Sequence, residues 1–264
     1  MKLDGMVSVI TGAGRGIGRS IARAFAREGS NIVLAARSPD QLEEVAGEVK
    51  ALGRKVLPVS CDVSSPEEVK KLADRVRERF GRADILVNNA GTSRRSKILD
   101  YDDDTWLGVL KVNLFGTYLC CKAFLPMLQE QGRGRIINVA STAGKNPVPF
   151  NTAYSASKHG VLGLTKSLAG EVALSGYPEI TVNAICPFYV NTDMLTGPQG
   201  YVAAMAGISG MSRQEVLEKS VHRNYQKRVL EPEEIASMAV YLASDEARGI
   251  TGQAINICGG AVFH

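Results

Sequence analysis

Three residues in one stretch have the types and spacing for proton chemistry. Tyr154 and Lys158 stand four apart, and Ser141 stands thirteen residues upstream, just after the apolar run 136–140. On a helix, side chains at i and i+4 share a face one turn apart. An ammonium beside a phenol favours the phenolate and lowers the tyrosine pKa from its ordinary value of about 10. Bringing it near neutrality takes roughly 4 kcal/mol of differential stabilisation. A hydroxyl at Ser141 would hold a carbonyl oxygen beside Tyr154. The set reads as a proton donor, its tuner and an orienting hydroxyl. The spacing alone is common on surface helices, so its weight comes from the elements that place it.

Short apolar runs alternate with helical patterns along the chain. Strands are expected at 6–11, 31–36, 55–63, 83–90, 135–140, 180–186 and 253–258. Helices are expected at 17–28, 41–52, 66–80, 102–131, 154–174 and 232–244, the fourth bent near Gly116. Residues 191–227, with their glycines and methionines, are less regular and read as a lid. This alternation suits right-handed βαβ crossovers and predicts an α/β fold with one doubly wound parallel sheet. No linker, repeat or low-complexity tract interrupts it, so residues 1–264 read as a single domain.

The first strand runs into Gly12-Ala13-Gly14-Arg15-Gly16-Ile17-Gly18. Ile17 stands where a plain G-x-G-x-x-G would need its third glycine; the spacing is G-x-x-x-G-x-G, at 12, 16 and 18. Glycines there permit a tight turn and let a diphosphate approach a helix N-terminus, where free N–H groups and the dipole favour an anion. After the second strand, an acidic residue would hold the ribose 2′-hydroxyl of NAD. Ala36, Arg37 and Ser38 stand there instead. Arg37, with Arg15 in the glycine loop, suits a 2′-phosphate and points to NADP(H). Asp62 ends the third strand and could accept from an adenine amino group or cap the following helix. Asn88-Asn89-Ala90-Gly91 ends the fourth, where small residues let the backbone pass close to a ligand and an asparagine could tie strands together.

Composition narrows the classes. The chain is 45% hydrophobic and 22% charged, enough for a sizeable core. Its net charge of +4 is scattered, with no basic stripe interleaved with aromatics, which argues against nucleic acid. The N-terminus has no signal-peptide pattern and the run 6–11 is too short for a bilayer, so no membrane is expected. Cys61, Cys120, Cys121, Cys186 and Cys258 are odd in number, lie mostly in apolar segments and lack metal-ligand spacing. They read as reduced core thiols of a cytoplasmic protein with no metal.

Together these motifs resemble the short-chain dehydrogenase/reductase family over nearly the whole chain, from Leu3 to Gly260. The resemblance rests on Thr11-Gly12, Gly16 and Gly18, Asp62-Val63, Asn88 to Gly91, Asn113, Ser141, Tyr154, Lys158 and Gly259-Gly260. It implies a Rossmann-type fold of seven parallel strands, with Tyr154 as general acid/base and Ser141 on the substrate oxygen. Lys158 would bind the nicotinamide ribose and lower the tyrosine pKa, and Asn113 would help hold a water leading to Lys158. The cofactor residues implied are Gly12, Arg15, Gly16, Ile17, Gly18, Arg37, Ser38, Asp62, Val63, Asn89, Ala90, Gly91, Tyr154, Lys158, Pro187, Val190 and Thr192. Arg15 and Arg37 match the family's NADP-preferring branch. A homotetramer packed through helices 102–131 and 154–174 and the last strand is implied as well. Two departures stand out. Phe188 follows Pro187 where the family usually has glycine, which would need a different backbone or local room. The link 176–179 looks a few residues longer than usual and should be a surface turn.

The expected activity is interconversion of a ketone and a secondary alcohol. The substrate would lie between the loop after Ser141 and the lid. Lys145, Pro147, Val148 and Phe150, with Arg94 and Arg95, would form the near wall, and Met194, Leu195, Met205, Ile208 and Met211 the lid. His222 and Arg223 could meet an acidic group, though a solvated face is the plainer reading. The chain looks most like 3-oxoacyl-(acyl carrier protein) reductases, with Arg133 as a possible carrier contact. Its lid resembles that of 3-hydroxybutyrate dehydrogenases, which take small keto acids, and its 256–260 segment that of aromatic-polyketide ketoreductases. A non-catalytic nucleotide sensor is the rival from another class; the presence of Ser141, Tyr154 and Lys158 argues against it.

Overall fold

In the computed structural model, which describes residues 1–264, strand β1 (Val7–Thr11) sends Val7 and Val9 to one face and Ile10 to the other. Strand β2 (Asn31–Ala36) alternates likewise, with Ile32 and Leu34 opposite Val33 and Ala35. Strands apolar on both faces must be covered on both, which is the situation of a parallel sheet with helical crossovers.

Chain order supplies those crossovers. After β1 come α1 (Gly16–Arg27), β2, α2 (Pro39–Ala51), β3 (Val56–Ser60), α3 (Pro66–Phe80), β4 (Ile85–Asn88) and α4 (Asp103–Leu110). A π-helical turn, Lys111–Phe115, joins α4 to α5 (Gly116–Glu130). Then follow β5 (Gly134–Val139), α6 (Thr152–Leu174), β6 (Ile180–Pro187), α7 (Asp193–Thr196), α8 (Tyr201–Ser209), α9 (Arg213–Val221), α10 (Pro232–Ala243) and β7 (Ala254–Ile257). The seven strands are all parallel, in the order β3-β2-β1-β4-β5-β6-β7. This is the expected doubly wound sheet in a single domain. One face is covered by α1, α2 and α10, the other by α3, α5 and α6.

The chain leaves β1 towards β2 and β3 and later resumes at β4 on the other side. That reversal opens a crevice at the carboxyl ends of β1 and β4. Side chains lock it. Asn89 Nδ2 donates to the Thr11 and Gly12 carbonyls at 3.0 and 3.1 Å, and Thr11 Oγ1 accepts from the amides of Asn89 and Ala90 at 3.0 and 3.1 Å. Asn88 Nδ2 donates to Asn138 Oδ1 at 2.9 Å, tying β4 to β5. The expectation of an asparagine tie is met twice.

Elements differ from expectation at four places. Strand β3 stops at Ser60 because Asp62 Oδ1 accepts from Ser64 N and Oγ, at 2.9 and 2.7 Å, and closes a turn. The long helix is interrupted at 111–115, where one extra residue is looped out, rather than bent at Gly116. Residues 191–227 hold three short helices around their own small core of Leu195, Val202 and Val216. Phe188 keeps a negative φ, its amide donates to the Ile257 carbonyl at 3.1 Å, and its ring meets Tyr189 with centroids 4.2 Å apart. Glycine's conformational freedom is therefore not needed there. The 176–179 link is a turn closed by Tyr177 N on the Val172 carbonyl at 3.0 Å.

Residues 103–130 form one helix long and apolar enough to cross a membrane. Its Cys120, Cys121, Phe124 and Leu128 are buried in the core against the sheet. All five cysteines are free and buried.

Candidate active site

Tyr154 and Lys158 lie one turn apart on α6, and Ser141 follows β5 at the carboxyl edge of the sheet. The Ser141 hydroxyl acts on the Tyr154 phenol, favouring its ionised form. It also accepts from Ala143 N at 3.1 Å and reaches the Pro187 carbonyl at 3.5 Å, so its rotamer is held from two sides. Lys158 is almost fully buried, and its Nζ donates to the Val139 carbonyl at 2.7 Å, 5.6 Å from the centre of the Tyr154 ring. Burial pushes this ammonium down to about 8, against a weak opposing pull from Cys186. Burial pushes the Tyr154 phenol up; the Ser141 hydroxyl and the charge of Arg95 pull it back without overcoming that. Arg95 is thus one cation that acts on Tyr154, while Lys158 Nζ, one turn along the helix, is engaged with a backbone carbonyl.

Asn113 sits in the π turn and is buried. Its Oδ1 accepts from Thr92 N at 2.8 Å, and its Nδ2 donates to the Thr92 carbonyl and Ser157 Oγ at 2.9 and 3.0 Å. It pins the loop after β4 to α6. Gly91 completes that junction: a Cβ there would stand 3.4 Å from Asn113 Oδ1 and 3.8 Å from Lys158 Nζ.

The crevice fits a dinucleotide. Helix α1 starts at Gly16 with no side-chain cap and no acidic residue in its first turn, so its free N–H groups remain for an anion. Gly12 has φ +64°, and a Cβ there would stand 2.8 Å from Ala90 Cα. A Cβ on Gly18 would collide with the Gly12 carbonyl. Gly16, also left-handed at φ +53°, lies against Thr192, whose methyl would be 3.1 Å from an added Cβ. Arg15 spans the opening to Asp193 at 3.0 Å, while Arg37 and Ser38 are exposed beyond β2. Burial pushes Asp62 up, but its bonds from Ser64 and the charge of Arg37 outweigh that and hold the carboxyl below its usual range. Ser65, not Asp62, caps α3, so the capping alternative for Asp62 fails. Val63 packs against Gly116 just after the π turn. Val190 bridges to Leu230, and the Pro187 carbonyl accepts from Ser141 and Thr142.

A cleft of about 200 Å³ opens between Arg95, Val148 and Phe150 on one wall and Tyr201, Met205 and Arg223 on the other. Several expected wall residues lie elsewhere. Lys145 turns away, its Nζ donating to the Ala254 carbonyl at 2.8 Å. Arg94 is exposed and bonds the Ser93 carbonyl. Leu195 is in the lid's own core. Arg133 precedes β5 at the opposite, amino end of the sheet, which removes it as a carrier contact at the site entrance. His222 faces out, bonded to the Glu218 carbonyl at 2.7 Å, whereas Arg223 lines the cleft. Asn151, Tyr189 and Tyr201 belong to the site and carry no local signal. Only their neighbours in space reveal them.

A doubly wound sheet with a diphosphate-ready helix terminus, and a serine, tyrosine and lysine beside it, defines a nicotinamide-dependent dehydrogenase or reductase. The family described as short chain dehydrogenase matches residues 6–199, and the chain belongs to it. It is therefore an oxidoreductase acting on alcohol and ketone groups with a nicotinamide cofactor. It is 40% identical to the D-beta-hydroxybutyrate dehydrogenase of Rhizobium meliloti, covering 96% of this chain and 97% of that one. It is 34% identical to the 3-oxoacyl-[acyl-carrier-protein] reductase FabG of Thermotoga maritima over the full length of both. Among solved structures, a substituted actinorhodin polyketide ketoreductase with NADPH superposes with a TM-score of 0.91 at 38% identity, covering 97% of each chain.

Proposed function

We propose that Tyr154, Ser141 and Lys158 carry out the reaction, with NADP(H) as the preferred cofactor. The observation that carries this reading is that Ser141 follows β5 at the carboxyl edge of the sheet while Tyr154 and Lys158 share a face of α6, one turn apart. Bound there, the dinucleotide supplies a hydride to the carbonyl carbon, or accepts one from the alcohol. Tyr154 gives its phenolic proton to the carbonyl oxygen during reduction and takes it back during oxidation. Ser141 donates to the same oxygen and fixes its position. Lys158, anchored by Val139, places a buried positive charge one helical turn away and stabilises the phenolate left by proton transfer. Asn113 positions Thr92 and Ser157 around that lysine. Arg37 and Arg15, with Ser38, face the 2′-phosphate, and Asp62, Val63, Asn89, Ala90 and Gly91 the adenosine and ribose.

The relative acting on hydroxybutyrate and the compact cleft favour a small substrate. A carrier-protein substrate is less favoured, since Arg133 lies at the far end of the sheet. Residues 191–227 act as the lid of one catalytic domain. The protein works in the cytoplasm as a homotetramer; in support, Leu107, Phe115 and Tyr118 leave an apolar face of the long helix exposed. Light scattering in solution tests that assembly. The reaction is tested by NADPH and NADH oxidation against acetoacetyl thioesters, small keto acids, cyclic ketones and steroids, with Tyr154→Phe alongside. Loss of turnover with retained NADPH binding is expected; substantial residual turnover would overturn the assignment.

A further inference from the structure

Arg95, from the loop after β4, and Arg223, from the end of α9, meet across one cleft whose lining includes no acidic residue. Other arginines of this protein, though not all, pair with carboxylates: Arg15 with Asp193, Arg19 with Glu44 and Glu48, Arg77 with Glu130, Arg228 with Glu234. The titratable groups around Arg95 are the phenols of Tyr189, Tyr201 and Tyr154 and the like-charged Arg223, with no carboxylate among them. Two cations brought together beside aromatic and aliphatic side chains repel each other unless an anion joins them.

Neutral groups orient both arginines. The Arg95 guanidinium lies 4.4 Å over the Tyr201 ring, and its Nη1 donates to the Pro149 carbonyl at 3.4 Å. The surroundings of Asn151 are satisfied with its amide oxygen facing Arg95 Nη2 at 3.3 Å. Arg223 Nη1 reaches the Tyr189 hydroxyl at 3.5 Å. All of these acceptors are neutral. Phe150, on the cleft wall, holds φ at +60°, a costly backbone for a bulky residue that the Ser96 N bond to its carbonyl at 3.1 Å helps maintain.

We propose that the substrate is a carbonyl compound carrying an anionic group, a carboxylate or a phosphate, held by Arg95 and Arg223 while its carbonyl lies at Tyr154. This rests on the reading of Tyr154 as the proton donor. Arginine forks suit planar carboxylate or phosphate oxygens. The charge of Arg95 also acts on Tyr154, which links the cleft to the proton donor. Val148, Phe150 and Met205 leave apolar room for the short chain between them.

Two matched pairs test this: acetoacetate against its methyl ester, and acetoacetyl-phosphopantetheine against acetoacetyl-pantetheine. In one pair the charged member is expected to exceed the neutral one by about tenfold or more in kcat/KM. A preference in the first pair assigns a carboxylate and in the second a phosphate. Arg223→Gln should lower that ratio by about tenfold, with Arg223→Lys between the two. Ratios near one in both pairs, with the neutral members turned over, overturn the anion site and leave the reductase reading standing. A preference that survives both Arg223→Gln and Arg95→Gln also overturns it. If none of the four turns over, the reductase reading fails for these ketones. Calorimetric titration into the NADPH-loaded protein then decides the anion site, and equal binding of charged and neutral members, or none, overturns it.

Discussion

Lys158 Nζ stands 5.6 Å from the centre of the Tyr154 ring while donating to the Val139 carbonyl at 2.7 Å. The lysine is thus fixed by β5, one helical turn from the tyrosine. Its buried charge has a cost that is visible in stability.

That cost depends on pH. The folded-state value of about 8 lies below the ordinary value of 10.5. Below pH 8 the lysine is charged in both states and the folded state bears the full desolvation cost. Between about 8 and 10.5 the unfolded chain binds more protons, so this group makes the protein more stable as pH rises. Lys158→Met, allowing for the lost bond to Val139, should be more stable than the parent by about 1–3 kcal/mol at pH 7. The gap should close by about pH 10.5. Urea melts across this range check it; a gap independent of pH would contradict the account.

Tyr154→Phe keeps the ring in its packed position and removes the proton. Turnover should fall by about a hundredfold or more, the usual weight of a positioned acid. Fluorescence titration should show NADPH affinity changed by less than about twofold, since the proton matters to the transition state rather than to cofactor binding.

Cofactor choice should follow charge. Arg37→Asp places a carboxylate where the ribose 2′-hydroxyl of NADH could donate to it, and repels a 2′-phosphate. The NADPH/NADH ratio of kcat/KM should fall by at least about tenfold. An unmoved ratio would make Arg37 a plain surface residue. Arg15→Ala should have the smaller effect, because Arg15 shares its charge with Asp193.

The glycine loop offers a steric test. A Cβ at Gly18 collides with the Gly12 carbonyl and stands 2.5 Å from Asn89 Nδ2. Gly18→Ala should destabilise by roughly 1–3 kcal/mol and weaken NADPH binding together, as the loop shifts away from β4. Thermal unfolding with and without NADPH separates the two effects.

Asn113→Ala should cost about 2–4 kcal/mol, since it strands the amide and carbonyl of Thr92 together with Ser157 Oγ. Asn113→Asp, which keeps only the acceptor, should recover part of that loss in the same urea melts.

Local chemistry in the chain determined the sheet, the glycine turn and the pairing of Tyr154 with Lys158. Each of these depends on periods of two or 3.6 residues, or on the backbone freedom of glycine, and needs no distant partner. The far-end position of Arg133 also follows from strand direction, because residues before a parallel strand lie opposite its carboxyl edge. Only the tertiary structure decided which cations face the cleft. Arg94, Arg95 and Lys145 are alike in type, yet only Arg95 enters the cleft. It does so because loops from β4 and β5 meet through Ser96 and Phe150, and because Tyr201 offers its ring face from the lid. The π turn at Asn113 is also tertiary, since its side chain satisfies a loop twenty-one residues away. Such contacts join segments far apart in sequence. Their outcome depends on which buried polar groups can be satisfied together, and no local pattern records that.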